Sequence, residues 1–322
     1  MRDRFTNTTS LLVLSLIMLL ACAAYWPGLQ GGFLFDDFAN LPSLGDGGPI
    51  ESWPIFWRYI TSGTADPIGR PLTLLSFLLD ARNWPAHPLP FKRTNLILHL
   101  FNGALLYGLL SKLGRALAIE APRFRIAALL AMALWLLHPL LLSTTLYIVQ
   151  REAMLPATCA MAGLLVWLHG RAQLAAGRTV AGVSWSILGL GGFTLLGVLA
   201  KANGALLPLY ALLIEIIILA PRVPMPAGKF QRAHRITLFV FGILPAMAIC
   251  SYVAWIGVHG IVTGGPALRP WNYAQRLMTE PRVLMDYLKL LWLPRPLSTG
   301  CLTARTRSSC RSRTRTTRTR WK

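Results

Sequence analysis

Charged residues are scarce in this sequence, and acidic residues are the scarcest of them. Only 14% of the 322 residues are charged, 12 residues are Asp or Glu, and 54% are hydrophobic. Soluble domains have about a quarter of their residues charged. The apolar residues here come in blocks of about 18–20, the length that crosses a bilayer. The composition excludes a soluble enzyme, a disordered protein and a collagen-like fibre, and it indicates a multi-pass membrane protein.

Cysteine is also sparse, and the spacing of the cysteines does not predict a metal site. Three of the five cysteines, Cys22, Cys159 and Cys250, lie in apolar blocks, where a thiol behaves as a small hydrophobic group. The other two, Cys301 and Cys310, lie near the C-terminus. No zinc-binding spacing is present, so no metal ligands are predicted.

The formal net charge of +20 depends strongly on the C-terminus. The last 22 residues contain eight Lys or Arg and no Asp or Glu, whereas the other 300 contain 24 basic and 12 acidic residues. An excess of Lys and Arg is expected on the cytoplasmic side of membrane-spanning helices. The charge therefore does not indicate a nucleic-acid partner.

Seven apolar blocks predict seven membrane-spanning helices and an all-α fold. Basic residues collect at alternate ends of these blocks, beginning with Arg2 and Arg4, and the side that holds them is predicted to be cytoplasmic. The large polar loop, about 27–93, then lies outside the cytoplasm. The first block also has the shape of a signal peptide, but its length and the blocks that follow favour an uncleaved span. The blocks are 10–26, 95–111, 126–142, 153–169, 183–200, 204–220 and 236–256.

Two C-terminal segments differ from the rest. In 273–293, leucines recur at helical spacing but charged residues interrupt them, which favours an amphipathic surface helix over an eighth span. Residues 301–322 are an Arg/Thr/Ser-rich low-complexity tail that cannot form a core. A polybasic tail belongs beside the cytoplasmic leaflet, yet seven spans place this one outside, which indicates out-of-frame translation. Residues 1–300 are therefore treated as one transmembrane module.

Half of the acidic residues lie in one stretch of 45 residues, so acid–base chemistry is expected there. Asp36 and Asp37 directly follow the first span and are flanked by phenylalanines. One carboxylate could face a cleft at the membrane edge and act as a general base. The alternative, which the residues alone favour, is a helix N-cap. The six acidic residues of this stretch are Asp36, Asp37, Asp46, Glu51, Asp66 and Asp80.

Arg70 and Lys201 are candidates for binding an anion. Arg70 lies in a Gly-Arg-Pro turn that can present its planar guanidinium to a phosphate or carboxylate. An ion pair with Asp66 or Asp80 is the alternative for Arg70. Lys201 lies between spans five and six on the predicted outer side, where snorkelling is the alternative.

Further polar residues occur at span ends and inside spans. His99 shares one face of span two with Asn95 and Asn102, which favours hydrogen bonds to neighbouring helices over substrate contact. His138 lies at the outer end of span three, and Gln150, Arg151 and Glu152 are at the start of span four on the same side. Arg151 could bind a lipid phosphate or be neutralised by Glu152. Glu215 lies within span six and needs a partner.

An ordered set of short motifs carries a resemblance to a family. The motifs are Tyr25-Trp-Pro-Gly, Phe35-Asp-Asp, Gly69-Arg-Pro-Leu-Thr-Leu-Leu-Ser-Phe77, Asn95-Leu-Ile-Leu-His99, Leu137-His-Pro139, Tyr147-Ile-Val-Gln-Arg151 and Lys201. The set resembles the bacterial relatives of the transmembrane, tetratricopeptide-repeat O-mannosyltransferases. These are GT-C glycosyltransferases, similar in plan to the protein O-mannosyltransferases. The resemblance covers about residues 20–300.

The resemblance implies sugar transfer outside the cytoplasm of a bacterium, by an enzyme of the inner membrane. The donor would be a polyprenyl-phosphate sugar and the acceptor a hydroxyl group of a protein or glycan. Asp36 would be the general base and Asp37 its support, or the two would exchange roles. No cofactor is implied beyond the lipid-linked donor, and a divalent metal is left open. The candidate ligands of the lipid phosphate are Arg70, Arg151, Lys201, His99, His138 and Gln150.

The chain departs from the family pattern in two places. Ala202 follows the lysine where the family often has an acidic residue, and no helical repeat follows the spans. A truncated, non-catalytic membrane protein is therefore the first alternative function. A small-molecule or lipid transporter is the second, and it would be expected to carry charged residues along mid-membrane faces.

Overall fold

The computed structural model describes residues 2–65, 68–263 and 272–293, which form an all-helical protein. Within these ranges no β-strand forms, and two residues of the first loop make a single isolated bridge. Six helical stretches are long and apolar enough to cross a membrane, which fits the predicted multi-pass architecture. They are Thr8–Gln30, Pro88–Ala116, Ile148–Ala175, Thr179–Ala200, Ala202–Arg222 and Lys229–Gly260.

The third predicted span is shorter than the others. Its helix, Ala121–Leu137, has 17 residues and ends before Pro139, whereas the sequence predicted a span through 142. The residue before a proline is disfavoured in helical conformation, and His138 is accordingly extended, with ψ 124°. Seventeen residues give about 26 Å, slightly less than the hydrocarbon core of a bilayer. A count of seven spans depends on this helix and stays a prediction.

The α-helices are numbered in chain order. They are α1 (Arg2–Tyr25), α2 (Asp37–Asn40), α3 (Trp53–Ile60), α4 (Pro71–Phe77), α5 (Pro88–Ala116), α6 (Ala121–Leu137), α7 (Leu141–Leu146), α8 (Arg151–Ala175), α9 (Thr179–Ile187), α10 (Phe193–Ala200), α11 (Leu207–Leu213), α12 (Ala220–Arg222), α13 (Lys229–Leu238), α14 (Leu244–Thr263) and α15 (Tyr273–Trp292). Wide π-helical turns at Leu188–Gly192, Ile214–Leu219 and Phe239–Ile243 join the α-helices of the last three spans.

Proline fixes the start of several helices around the candidate site. Pro54, Pro71 and Pro88 occupy the first two positions of α3, α4 and α5, where a missing N–H costs no hydrogen bond. The imidazole of His87 adds a cap to α5 by accepting the N–H of Leu89 at 3.3 Å.

The first loop folds onto one end of the helices, which we call the loop end. Contacts to this end come from the turn directly before α8, where Val149 N–H meets Asp37, and from the end of α10, where the carbonyl of Ala200 meets Thr73. The loop has its own apolar core, which also takes in the first turn of α5. Its buried members are Leu41, Leu44, Ile50, Tyr59, Ile60, Phe77, Phe91 and Ile148.

Glycines permit close packing between α8 and the following span. A Cβ on Gly163 would lie 2.7 Å from the carbonyl oxygen of Gly189, and one on Gly170 would lie 2.7 Å from that of Gly182. Glycines have no side chain, so they let the backbones of two helices approach closely. Close approach strengthens the van der Waals contacts that hold membrane helices together.

A buried ionic cluster lies at the opposite end of the helices. Glu215 accepts two hydrogen bonds from Arg171, at 2.8 and 3.1 Å, and lies 3.3 Å from His234. The guanidinium of Arg171 also donates to the carbonyl of Val223 at 2.6 Å. The carboxylate that the sequence marked as needing a partner is thus neutralised within the protein.

The C-terminal segment forms α15 and is not among the six candidate spans. Asn272 caps it through a reciprocal capping box with Gln275. Nearly all of its described side chains are exposed, and its last turn reaches the loop end, where the ring of His138 lies 3.0 Å from the carbonyl oxygen of Leu291. The tail 301–322 lies outside the described residues.

Candidate functional site

The site is organised around the segment Tyr147–Glu152, which we call the connector. It contains the short helical turn Ile148–Gln150 and the first two residues of α8. Ile148 and Val149 are buried in the loop end, which anchors the segment by burial of apolar surface. The polar groups of the connector face two clusters of ionisable residues.

The first of these clusters contains Asp36, Asp37 and Lys92, and Asp37 is held rigidly within it. Its side chain is fully buried, with one oxygen accepting the N–H of Val149 at 2.8 Å and the other that of Leu34 at 2.9 Å. Burial raises the pKa of this carboxyl, while the backbone hydrogen bonds and the charge of Lys92 oppose the rise. Lys92 is itself buried and donates to the carbonyl of Gly28 at 3.4 Å. Asp37 therefore fixes the connector against the end of the first span.

Asp36 points the other way and is exposed. It precedes α2 in the N-cap position but makes no side-chain cap, so the capping alternative is not observed. Its backbone N–H donates to the hydroxyl of Tyr147 at 2.7 Å. Burial, together with the nearby Asp36 carboxylate, raises the pKa of Tyr147 to about 12. The phenol thus stays protonated at neutral pH and can donate to that carboxylate.

The turn before Asp36 is conformationally strained. Phe35 has φ 36°, in the left-handed region that β-carbons disfavour, and its side chain is 71% exposed. Its ring contacts that of Tyr147 edge-on, with centroids 6.2 Å apart. Strain of this kind persists only where surrounding contacts impose it, and it is often found at functional sites.

Arg151 lies inside the protein and not at a lipid-facing edge. Its guanidinium is fully buried, donates to the carbonyls of Ser76 and Phe91 at 2.8 and 2.9 Å and to the side chain of Asn95 at 2.7 Å. A carboxylate oxygen of Asp80 lies 2.6 Å away, so the ion pair of Arg151 is with Asp80 and not with Glu152. Arg151 thereby joins α4, α5 and α8.

Glu152 instead joins the second cluster, the cationic cluster, formed by Arg70, Glu152 and Lys201. One carboxylate oxygen pairs with Arg70 and the other lies 2.5 Å from the ammonium of Lys201. The side chains are 17%, 12% and 27% exposed, so solvent reaches both cations. Arg70 pairs with Glu152 and not with Asp80, and Asp66 lies outside the described residues.

Local backbone structure sets the two cations beside each other. Arg70 adopts φ 57° directly before α4, and Lys201 is extended directly after α10. Thr73 Oγ donates to the carbonyl of Ala200 at 2.8 Å, which ties the two helix ends together. Arg70 and Lys201 thus lie on either side of a single carboxylate, that of Glu152.

An apolar cavity of about 530 Å³ opens beside the cationic cluster. Among the described residues, Arg70 is the one charged residue of its lining, and the rest of the described wall comes mainly from α14 and the segment after Lys201. The lining residues are Ile68, Arg70, Val198, Ala202, Asn203, Ala205, Leu206, Ile249, Tyr252 and Val253. A cavity with one cation and apolar walls suits an amphiphile with an anionic head.

The polar face of α5 is used for packing. His99 is buried with its ring nitrogen 3.1 Å from the carbonyl of Leu136, Asn95 contacts the connector, and Asn102 donates to the carbonyl of Met154 at 3.2 Å. These contacts are the hydrogen bonds to neighbouring segments that the sequence analysis favoured over substrate contact. His138 lies at the end of α6, and Gln150 is half-buried within the connector.

Sequence reasoning missed Tyr147, Lys92 and Asp80 as members of the site. Tyr147 belongs to a quoted motif, but no pattern indicates that its hydroxyl meets the backbone of Asp36. Asp80 belongs to the acidic stretch, yet its pairing with Arg151 bridges 71 positions and depends on tertiary structure. Lys92 carries no sequence signal for its burial.

Close backbone contact at Gly204 positions the cationic cluster. A Cβ on Gly204 would lie 2.1 Å from the carbonyl carbon of Gly197, in α10, the helix directly before Lys201. We expect Gly204→Ala to lower the free energy of unfolding by about 1–3 kcal/mol, because overpacking forces the backbone apart. Gly257→Ala is the matched control, since its Cβ meets nothing within 4 Å. Equal stability of the two variants in detergent melts would contradict this packing.

Within the part of the chain that the structure describes, no group of three or more His, Cys, Asp or Glu side chains could hold a metal ion. Comparisons with family models, with curated proteins and with solved structures returned no match.

Proposed function

We propose that this chain is a membrane-embedded glycosyltransferase that moves a sugar from a polyprenyl-phosphate carrier to a hydroxyl acceptor. The observation that supports it most is the connector, whose one end meets the exposed Asp36 and whose other end meets the cationic cluster. Such a transfer needs a base for the acceptor and positive charge for the leaving phosphate. The motif resemblance to GT-C enzymes supports the same reaction.

Asp36 acts as the general base in this proposal. Its carboxylate takes the proton of the acceptor hydroxyl, whose oxygen forms a bond to the anomeric carbon. The bond between that carbon and the phosphate oxygen breaks, and polyprenyl phosphate leaves with the bonding electrons. Asp37 supports the base from beneath because both of its oxygens already accept backbone N–H groups.

Arg70 and Lys201 bind the phosphate of the donor, and the apolar cavity beside them accepts the first part of its lipid chain. Glu152 holds the two cations at a fixed spacing, which lowers the cost of ordering them when the anion arrives. We assign Arg151 and His99 to positioning the helices, since each is bonded to protein groups. His138 and Gln150 stay candidate ligands of the donor phosphate, on the motif resemblance alone.

The proposed orientation places the loop end outside the cytoplasm and the Arg171–Glu215 cluster at the cytoplasmic end. The Lys and Arg residues in and around the last turns of α5, α8 and α12 support it, because such residues collect on the cytoplasmic side. The loop end then meets donors on the outer leaflet of a bacterial inner membrane.

Lys201→Met tests the donor site. We expect kcat/KM for a polyprenyl-phosphate hexose to fall about 10–100-fold, chiefly through KM, because a charge-assisted contact to the phosphate is lost. The measurement is the initial rate of transfer to a hydroxyl-bearing peptide by the full-length protein in detergent, with a panel of donor hexoses.

Lys289→Met serves as the control, since this lysine is 70% exposed on α15 and lies outside the cluster. An unchanged KM in Lys201→Met would remove this lysine from the donor site. A folded wild-type protein that transfers no hexose from the panel would instead favour the non-catalytic alternative.

A further inference from the structure

A second apolar groove, of about 680 Å³, lies between α3 and α4. It shares no lining residue with the cavity beside the cationic cluster, so the two are distinct spaces. Its lining residues are Ile50, Glu51, Ser52, Trp53, Phe56, Leu72, Leu75, Ser76, Leu78, Leu79, Arg82 and Leu155.

The groove exists because α4 is apolar on two faces. Phe77 packs into the core of the first loop, whereas Leu75 of α4 and Leu79, two residues beyond its end, remain 41% and 77% exposed and line the groove. A helix with one apolar face can bury that face against a single apolar core. The second apolar face of α4 therefore needs a partner outside that core.

The position of the groove indicates that it opens at the membrane–water interface. Leu155 lines the wall and lies one turn inside α8, within the spanning stretch Ile148–Ala175. Trp53 and Trp57 stand on the outer face of α3, 71% and 56% exposed, with stacked rings 6.4 Å apart. Exposed tryptophans are typical of the membrane–water interface. The groove thus opens at the level where lipid chains meet their head groups.

Two opposite charges stand at the rim of the groove. Glu51 and Arg82 are both exposed, and the N–H of Ile50 donates to the carbonyl of Arg82 at 2.8 Å, which holds the two segments together. Within the described residues, neither side chain forms an ion pair with the other or with a third group. A rim with one guanidinium and one carboxylate matches a zwitterionic head group with a phosphate and an ammonium.

We propose that this groove binds a phospholipid with an ethanolamine head group, separately from the proposed sugar donor. One acyl chain lies along Leu75, Leu79 and Leu155, which covers the second face of α4. Arg82 binds the phosphate, and Glu51 accepts a hydrogen bond from the primary ammonium. A choline head group has no N–H to donate, and a glycerol head group has no positive charge, so both bind less well.

Native mass spectrometry of the full-length protein tests the site. Phosphatidylethanolamine, phosphatidylcholine and phosphatidylglycerol with identical chains are added at equal concentration to the protein in detergent. We expect the ethanolamine lipid to give about five times more bound protein than either of the others. Arg82→Gln should weaken all three lipids about five-fold or more, whereas Glu51→Gln should remove the preference for ethanolamine.

Two further variants complete the design. Arg58→Gln is the matched control, because Arg58 is exposed on α3 but does not line the groove. Leu79→Glu places a charge on an exposed wall residue, so it should block the chain without affecting the core. Equal lipid binding in Arg82→Gln and Arg58→Gln would overturn the proposal. So would displacement of the lipid by the acceptor peptide, which would assign the groove to a peptide.

Discussion

Asp36→Asn is expected to lower kcat for sugar transfer by about 10²–10⁴-fold, the contribution of a positioned general base. The donor KM should be unchanged, because the proposed phosphate ligands Arg70 and Lys201 are untouched. Thermal stability should also be unchanged, since the Asp36 side chain is exposed. The measurement is the initial rate of transfer at saturating donor, together with a melting curve in detergent.

Asp46→Asn provides the control for this experiment, because Asp46 is an exposed carboxylate of the same loop. Undiminished transfer by the Asp36→Asn variant would rule out Asp36 as the general base. Asp37→Asn is expected to lose both activity and stability. Its amide group would turn one acceptor into a donor that faces a backbone N–H, either of Leu34 or of Val149.

Arg151→Met is expected to lower the free energy of unfolding by about 3–5 kcal/mol, the usual effect of breaking a buried ion pair. The substitution leaves the Asp80 carboxylate buried with a side-chain exposure of 3% and without its cation. It also removes the hydrogen-bond donor of two backbone carbonyls, those of Ser76 and Phe91. Chemical denaturation in detergent micelles measures the change.

Arg123→Met is the contrasting control. Arg123 pairs with Glu120 at 3.1 Å, but its side chain is 78% exposed, and such pairs contribute less than about 1 kcal/mol. The double variant Arg151→Met with Asp80→Leu should recover part of the loss, because no buried charge is left alone. A single-variant loss as small as that of Arg123→Met would show that the Arg151 network contributes little.

The long helices were predictable because their signal is local. Apolar blocks of spanning length identify α1, α5 and α8, and the structure extends each of them by several residues at one or both ends. The end of α6 was missed, since apolar residues continue to 142 while the conformation is decided by His138 before a proline. Composition reports burial in lipid, whereas helix ends depend on single residues.

The candidate site was predictable only in part, because its chemistry depends on pairings between distant segments. Sequence analysis found Arg70, Glu152 and Lys201 and placed them on one side, but not in one cluster. For Arg151 it left a phosphate and Glu152 as alternatives, and the observed partner is Asp80. A carboxylate near several cations in sequence has several possible partners, and tertiary packing selects among them.

The connector has a thermodynamic consequence for the order of events at the site. Any anion that draws Lys201 from Glu152 perturbs a six-residue segment whose buried Val149 also holds Asp37. In the proposed enzyme, donor binding at one end is therefore expected to change the free energy of acceptor binding at the other, and such linkage is reciprocal. Acceptor affinity should then depend on whether the donor site is filled, as in an enzyme whose two substrates bind in sequence.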